Sequence, residues 1–190
     1  MNTTLVPAIA EKVRAAEAQI QEMERLVEPL SQDQLDWRPN SARWSVGEHL
    51  HHLIITNQPY LTRIKRTIED ARTRRLESGG PYKSTWIGSR FAQSLEPPPK
   101  RRMRTFRSLQ PSPRIAKQEL VAKFQATMNE VIDAMKMANG LDLGLASMRS
   151  PFFFLLKMNL AEAFQVILAH NRRHFWLARE VMARADYPSQ

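Results

Sequence analysis

Cysteine is absent from the 190 residues, and glycine is scarce at six. The first absence removes disulfides, thiol catalysis and thiolate metal ligands together, but it says little about compartment, because reducing and oxidising spaces both tolerate cysteine-free proteins. Also missing is any apolar run approaching the roughly 20 residues that cross a bilayer, so no membrane is expected among the partners. Residues Met1 to Ala10 carry no basic leader and pass from a short apolar stretch into Glu11 and Lys12, unlike a secretory signal, so the cytoplasm is the expected location. Strand-like alternation is nearly absent, and there is no internal repeat.

What is present is a chain of ordinary domain length, expected to fold as one unit over residues 1–190 with a core that needs no covalent support. Its 28 Lys and Arg against 19 Asp and Glu leave a net charge of +9. That excess favours acidic partners such as nucleic acid, anionic lipid or small anionic substrates, without choosing among them.

Four segments have helical period. Ile9, Val13, Ala16, Ile20, Met23, Val27 and Leu30 form an apolar stripe, with Pro7 in the first turn and Pro29 and Ser31 marking the exit. A second helix is expected from Ser45, whose hydroxyl and the Glu48 carboxylate form a capping-box pattern, and its stripe runs from Val46 to Ala71 across a bend at Pro59. From Glu77 to Pro113 no helical period survives and prolines punctuate the chain, which reads as a long crossover. Trp86, Phe91 and the basic tract in this crossover are candidates to pack over a site. A third helix follows from Ile115 through Leu120, Phe124, Met128, Val131 and Met135, with Gly140 as its stop and Glu119 and Lys123 paired along it. The fourth begins near Asn159, again with a capping-box pattern to Glu162, and places Ala163, Ile167, His170, His174, Leu177 and Val181 inward. The expected fold is therefore all-α, an antiparallel four-helix bundle with a long crossover between helices 2 and 3.

All five histidines fall in two clusters, His49, His51 and His52 in one and His170 and His174 in the other. Neutral imidazole is the side chain that offers a nitrogen to zinc, nickel or iron near neutral pH, so the clustering points to a divalent metal site. One helical turn apart, His170 and His174 can face one ion. The H-x-x-x-H spacing is a weak signal alone, but on an apolar stripe it strengthens, because two buried rings present four nitrogens that need partners. A third ligand is expected from the second helix, where His49 and His52 both lie within reach and His51 points away from His49.

The run Trp44-Ser45-Val46-Gly47-Glu48-His49-Leu50-His51-His52-Leu53 resembles the W-S-x-x-E-x-x-x-H-L signature of the DinB-like family of metal-binding helical bundles, which includes the YfiT-like metal-dependent hydrolases. Ser150-Pro151-Phe152 and then Ala169-His170-Asn171-Arg172-Arg173-His174 resemble the family's closing motif. The resemblance covers nearly the whole chain in helix order. It implies a three-histidine metal site of His52, His170 and His174. Where relatives often carry a Gln three residues after the last His, this chain has Leu177, so one polar contact near the site is expected to be missing. Three neutral ligands would leave the ion its full double charge and open positions, which suits activation of water or of an incoming thiol. The resemblance thus implies a hydrolase or a low-molecular-weight-thiol transferase acting on a small-molecule substrate.

Glu48 has two readings, a partner for the His52 ring and the cap of its helix, and the cap explains it sufficiently. His49 is expected at the surface or beside the ligands. Trp37 and Trp44 are expected to anchor the loop between the first two helices, and Asn57 and Asn171 to be site walls or helix-surface amides. Two rival functions stand beside catalysis. One is a metal-bound sensor or interaction module without turnover. The other is a nucleic-acid or anion binder using Lys100-Arg101-Arg102-Met103-Arg104-Thr105-Phe106-Arg107, a run that more often forms a solvated loop. Nucleic acid is the less favoured partner, and a homodimer is allowed without being required.

Overall fold

The computed structural model of the protein describes residues 4–78, 80–99 and 105–189. In chain order these form α1 (Pro7–Val27), α2 (Gln32–Asp36), α3 (Val46–Thr73), α4 (Trp86–Leu95), a 3₁₀ turn (Arg107–Leu109), α5 (Lys117–Met137), β1 (Ser147–Arg149), β2 (Lys157–Asn159) and α6 (Leu160–Met182). The protein is mostly helical, and no helix among the described residues is long and apolar enough to cross a membrane.

Local chemistry sets the helix starts. At α3 the Ser45 hydroxyl accepts from the Glu48 amide at 3.1 Å while the Glu48 carboxylate accepts from the Ser45 amide at 2.9 Å. Asn159 and Glu162 repeat the exchange at α6, both bonds 2.9 Å long. Each box satisfies two amides that a helix end otherwise leaves open, worth about 1 kcal/mol. Pro7 occupies the first turn of α1, where its missing N–H costs little. Helix α3 runs through Pro59 without interruption. Gly140 takes a φ of 83° just beyond α5, a left-handed conformation suited to ending a helix.

Four expectations need correction. Ser31 does not simply mark the exit from α1: it caps α2 in a third capping box with Gln34. The crossover is not without helix, since α4 occupies its middle. Residues 147–159 pair as an antiparallel hairpin, the only sheet among the described residues. The third long helix also starts later than expected, at Lys117, where the Lys117 amide donates to the Gln32 side chain at 3.0 Å in place of a cap from its own segment.

The apolar stripes meet as the periodicity requires. Helix α3 packs on α5 and α6, α1 packs on the same two, and α4 lies on α6. The buried Phe124 and Phe175 rings meet edge-on at 5.8 Å between α5 and α6. One stripe position is polar: Gln19 is buried, whereas Ile20 is only half-buried. Gln19 donates to the Leu168 carbonyl at 2.8 Å and accepts from Asn171 at 2.8 Å, and Asn171 accepts from Asn57 at 3.2 Å. This chain of amides crosses from α1 through α6 to α3 and orients the three helices about one another.

Helix α4 is strapped to α6 at both ends. At its start Glu162, beyond capping α6, accepts from the Thr85 amide. At its end Glu96 accepts from Arg172 Nε at 2.8 Å as part of an ion pair. The crossover is thereby held against the helix that carries two of the histidines.

Candidate metal centre

Helices α3 and α6 bring three histidines together. His52, His170 and His174 each offer one ring nitrogen, and the three nitrogens lie within 4.8 Å of one another. Ring centroids are 4.6 Å apart for His170 and His174, 4.7 Å for His52 and His174, and 5.3 Å for His52 and His170. One ion bonded to each nitrogen at about 2.0–2.1 Å in tetrahedral geometry would hold them about 3.4 Å apart, so the rings are close enough for a small inward turn to close on it.

The contacts on the outer side of the rings determine which nitrogen faces inward. His52 Nδ1 is 2.8 Å from the carbonyl of Leu109. A carbonyl only accepts, so Nδ1 carries the hydrogen and the lone pair of His52 is on Nε2. Thr56 donates its hydroxyl to the His52 carbonyl at 2.8 Å, and its oxygen lies 3.5 Å from His170 Nδ1, a longer contact of the same sense. His174 Nδ1 faces His49 Nδ1 at 3.2 Å, and the two rings must therefore be complementary, one donating and one accepting. With His174 as the donor, Nε2 is the nitrogen left with a free lone pair on all three rings. Orientation of ligand imidazoles by such outer hydrogen bonds is a general feature of metal sites.

Burial keeps the rings neutral. Loss of water pushes His52 down to about 4, although the Leu109 carbonyl acts in the opposite sense, and pushes His49 and His170 down to about 3. His174 falls well below its ordinary range, first through burial and then through His170, His52 and His49 around it. Neutral imidazole is the ligating form, so near neutral pH no proton needs to leave before an ion enters.

The other expected residues fall into place around this centre. His49 is half-buried beside His174 and is outside the three-nitrogen cluster. His51 points elsewhere and accepts from the Ser112 amide at 3.1 Å, which pins the far end of the crossover to α3. Glu48 does not orient His52: both its oxygens are committed, to the Ser45 amide and to a forked ion pair with Arg38. Trp44 lies against the site, its ring centroid 4.9 Å from that of His52 at a tilt and 5.4 Å from that of His49 edge-on, while Trp37 packs edge-on against Tyr187. Asn57 and Asn171 are buried in the amide chain and are not on the helix surface. Leu177 lines the cavity, so the wall there is apolar.

A cavity of about 1170 Å³ opens from the three histidines. The crossover supplies Phe91, Phe106 and Leu109 to its wall, and the hairpin supplies Phe152 and Phe153. Tyr60 fixes the hairpin side: its hydroxyl lies 3.2 Å from Ser150 Oγ and its ring meets Phe152 edge-on at 5.5 Å. Burial raises this phenol to about 12, so it remains neutral.

Several of these residues left little trace in the sequence. Leu109 acts through its backbone, which no residue type announces. Arg38 sits ten residues from Glu48 in a loop without period. Arg173 lines the cavity and is buried beside His174, yet between two histidines in a charged stretch it reads as a surface residue. Thr56, one turn after His52, is the one that spacing could have identified.

Of the five cations of the crossover tract, Lys100, Arg101, Arg102 and Arg104 lie outside the described residues, and Arg107 is described. No curated protein and no solved structure matches the chain. A family model described as the DinB superfamily matches residues 15–178, taking in both histidine clusters, the whole of α3 and α5 and most of α1 and α6. The chain belongs to the DinB superfamily.

Proposed function

We propose that the protein is a metal-dependent enzyme, a hydrolase or a low-molecular-weight-thiol transferase, in which His52, His170 and His174 hold one divalent ion of zinc, nickel or iron. The four long helices are read as an antiparallel four-helix bundle with α4 riding on its crossover, in a single domain over residues 1–190. The observation that carries the proposal is the convergence of three neutral ring nitrogens within 4.8 Å on an open cavity. A site that only stabilises the fold is usually closed by four protein ligands, whereas three ligands and a cavity leave room for a reactant.

The donor set fits a borderline ion. Three imidazoles without a carboxylate leave its charge uncompensated, and such an ion supplies a Lewis acid that eases loss of a proton from water or a thiol. The chain's own groups have separate tasks. Leu109, Thr56 and His49 hold the rings in place. Trp44 covers one side of the site and keeps bulk water from it. Phe91, Phe106, Phe152 and Phe153 present an apolar wall to a small-molecule substrate, and Arg43, Arg173 and Arg184 add cations to the lining.

Protein purified without an affinity tag is expected to carry close to one divalent ion per chain by elemental analysis. His52→Ala, His170→Ala and His174→Ala should each lose most of it, and His51→Ala should retain it. Metal content unchanged in the His170→Ala, His174→Ala double variant would remove the ligand assignment. Activity is tested by screening activated esters and amides alongside thiol acceptors, with turnover expected to depend on metal and to disappear in His52→Ala. Stoichiometric metal with no turnover across the screen would favour the sensor.

A further inference from the structure

The large apolar side chains most open to solvent are not scattered over the surface. Among the described residues, Trp86 and Leu155 are each 79 % exposed and Phe154 is 73 % exposed, with Ile87, Leu145 and Phe106 also exposed. They lie on segments that touch one another: α4 and the residues before it, the turn before β1, the β1–β2 hairpin and the 3₁₀ turn. Phe153, next to the tip, has its ring 5.8 Å from Phe91 of α4 and 5.8 Å from Phe106. Gly144 backs onto Lys83 just before α4, and Asn159 at the end of β2 donates to the Lys83 carbonyl at 3.0 Å. Single exposed apolar residues need no explanation, but a cluster that includes a tryptophan and a hairpin tip does.

The exposed charge on these segments is mostly cationic, with the half-buried Asp142, which accepts from the Gly144 and Leu145 amides, at its border. Residues 80–95 and 143–161 contain no Asp or Glu, and their cations are Lys83, Arg90, Arg149 and Lys157, all exposed. Arg149 donates to the Phe154 carbonyl at 2.9 Å, which fixes a guanidinium beside the tip. Arg107 adjoins Phe106 on the crossover side. The arrangement is an apolar prominence ringed by cations, in a chain whose net charge is already +9.

We infer that this face docks on an anionic lipid bilayer, with Phe154, Leu155 and Trp86 entering the headgroup region and Lys83, Arg90, Arg149 and Lys157 meeting lipid phosphates. Each part of the patch has a use at such a surface. Tryptophan and phenylalanine favour the interface between headgroup and acyl chain, and flanking cations are attracted by its negative potential. A second copy of the chain is the poorer occupant, because it would bring like charges together. Single-stranded nucleic acid would use the aromatics and cations but not the aliphatic Ile87, Leu145 and Leu155, which offer no stacking surface. Contact would be peripheral, as no described helix spans a membrane. Phe106 and Phe153 also line the cavity, so docking would bring its mouth to the lipid.

The test is sedimentation of the full chain with vesicles of phosphatidylcholine alone and of equal parts phosphatidylcholine and phosphatidylglycerol. Binding to the anionic vesicles is expected, with little on the neutral ones. Phe154→Ser with Leu155→Ser should lower the partition coefficient by about tenfold or more while circular dichroism and metal content remain those of the parent. Arg90→Gln with Lys157→Gln should weaken binding and flatten its dependence on salt. Vesicle binding that is unchanged by the two serines would reduce the effect to bulk charge and overturn the inference. So would a concentration-dependent dimer, or binding to a single-stranded oligonucleotide, that the serines abolish in a protein that ignores vesicles.

Discussion

His174 is held by a ring that stands outside the cluster it serves. The Nδ1 contact between His49 and His174 is only 3.2 Å long, and His49 is the sole side chain aligning that ring through a hydrogen bond among the described residues. Replacing His49 by Ala is expected to weaken metal affinity by about 10–100-fold while leaving one ion per chain at saturation, measured by competition with a chromophoric chelator. The protonation of the cluster gives a second expectation. Unfolded, each ring takes a proton as pH falls through about 6.5. Folded, His49, His52 and His170 resist until about 3 to 4. Protons therefore favour the unfolded chain between those limits, and the metal-free protein should lose stability as pH falls from about 6.5 toward 4, with no loss from these rings above that range. Melting temperatures across the window check it, and His170→Ala should flatten the slope.

At the scale of elements, α4 depends on a residue with no side chain. Gly88 faces the Glu162 carboxylate so closely that an added Cβ would stand against its oxygens, and Glu162 is both the cap of α6 and the anchor of Thr85. Gly88→Ala is expected to cost about 1–3 kcal/mol in urea denaturation and to open the crossover to proteolysis, through displacement of Glu162. The same helix marks the limit of what the sequence discloses. The capping boxes at Ser45 and Asn159 and the His170, His174 pair were legible because each is a short-range spacing with one physical meaning. Helix α4 was not, although Ile87, Phe91 and Leu95 recur at four-residue steps, because the prolines and glycines on either side of it make the whole segment read as loop. Gln19 misled for another reason: a glutamine at a core position looks like a break in the stripe until its partners on α6 are known. The two histidine clusters could be paired from the family resemblance, but their hydrogen-bonded surroundings required coordinates.

For the molecule as a whole, the charge is distributed unevenly enough to separate two kinds of attraction. The net +9 acts at long range on any polyanion, and the protein is expected to bind heparin at low salt and to elute as ionic strength approaches about 0.2 M, without preference for nucleic-acid sequence. Such elution would leave the basic crossover as an electrostatic surface with no role in recognition. The Phe154 and Leu155 prominence, by contrast, adds apolar contact that salt does not screen, so the two attractions can be told apart on one protein.

The ring of His52 is steered by the carbonyl of Leu109, an acceptor that every amino acid possesses. Substitutions along that turn can therefore accumulate without unhooking the imidazole, provided the peptide keeps its place. Drift in the crossover can reshape the entrance to the cavity while the histidine cluster beneath it is inherited intact.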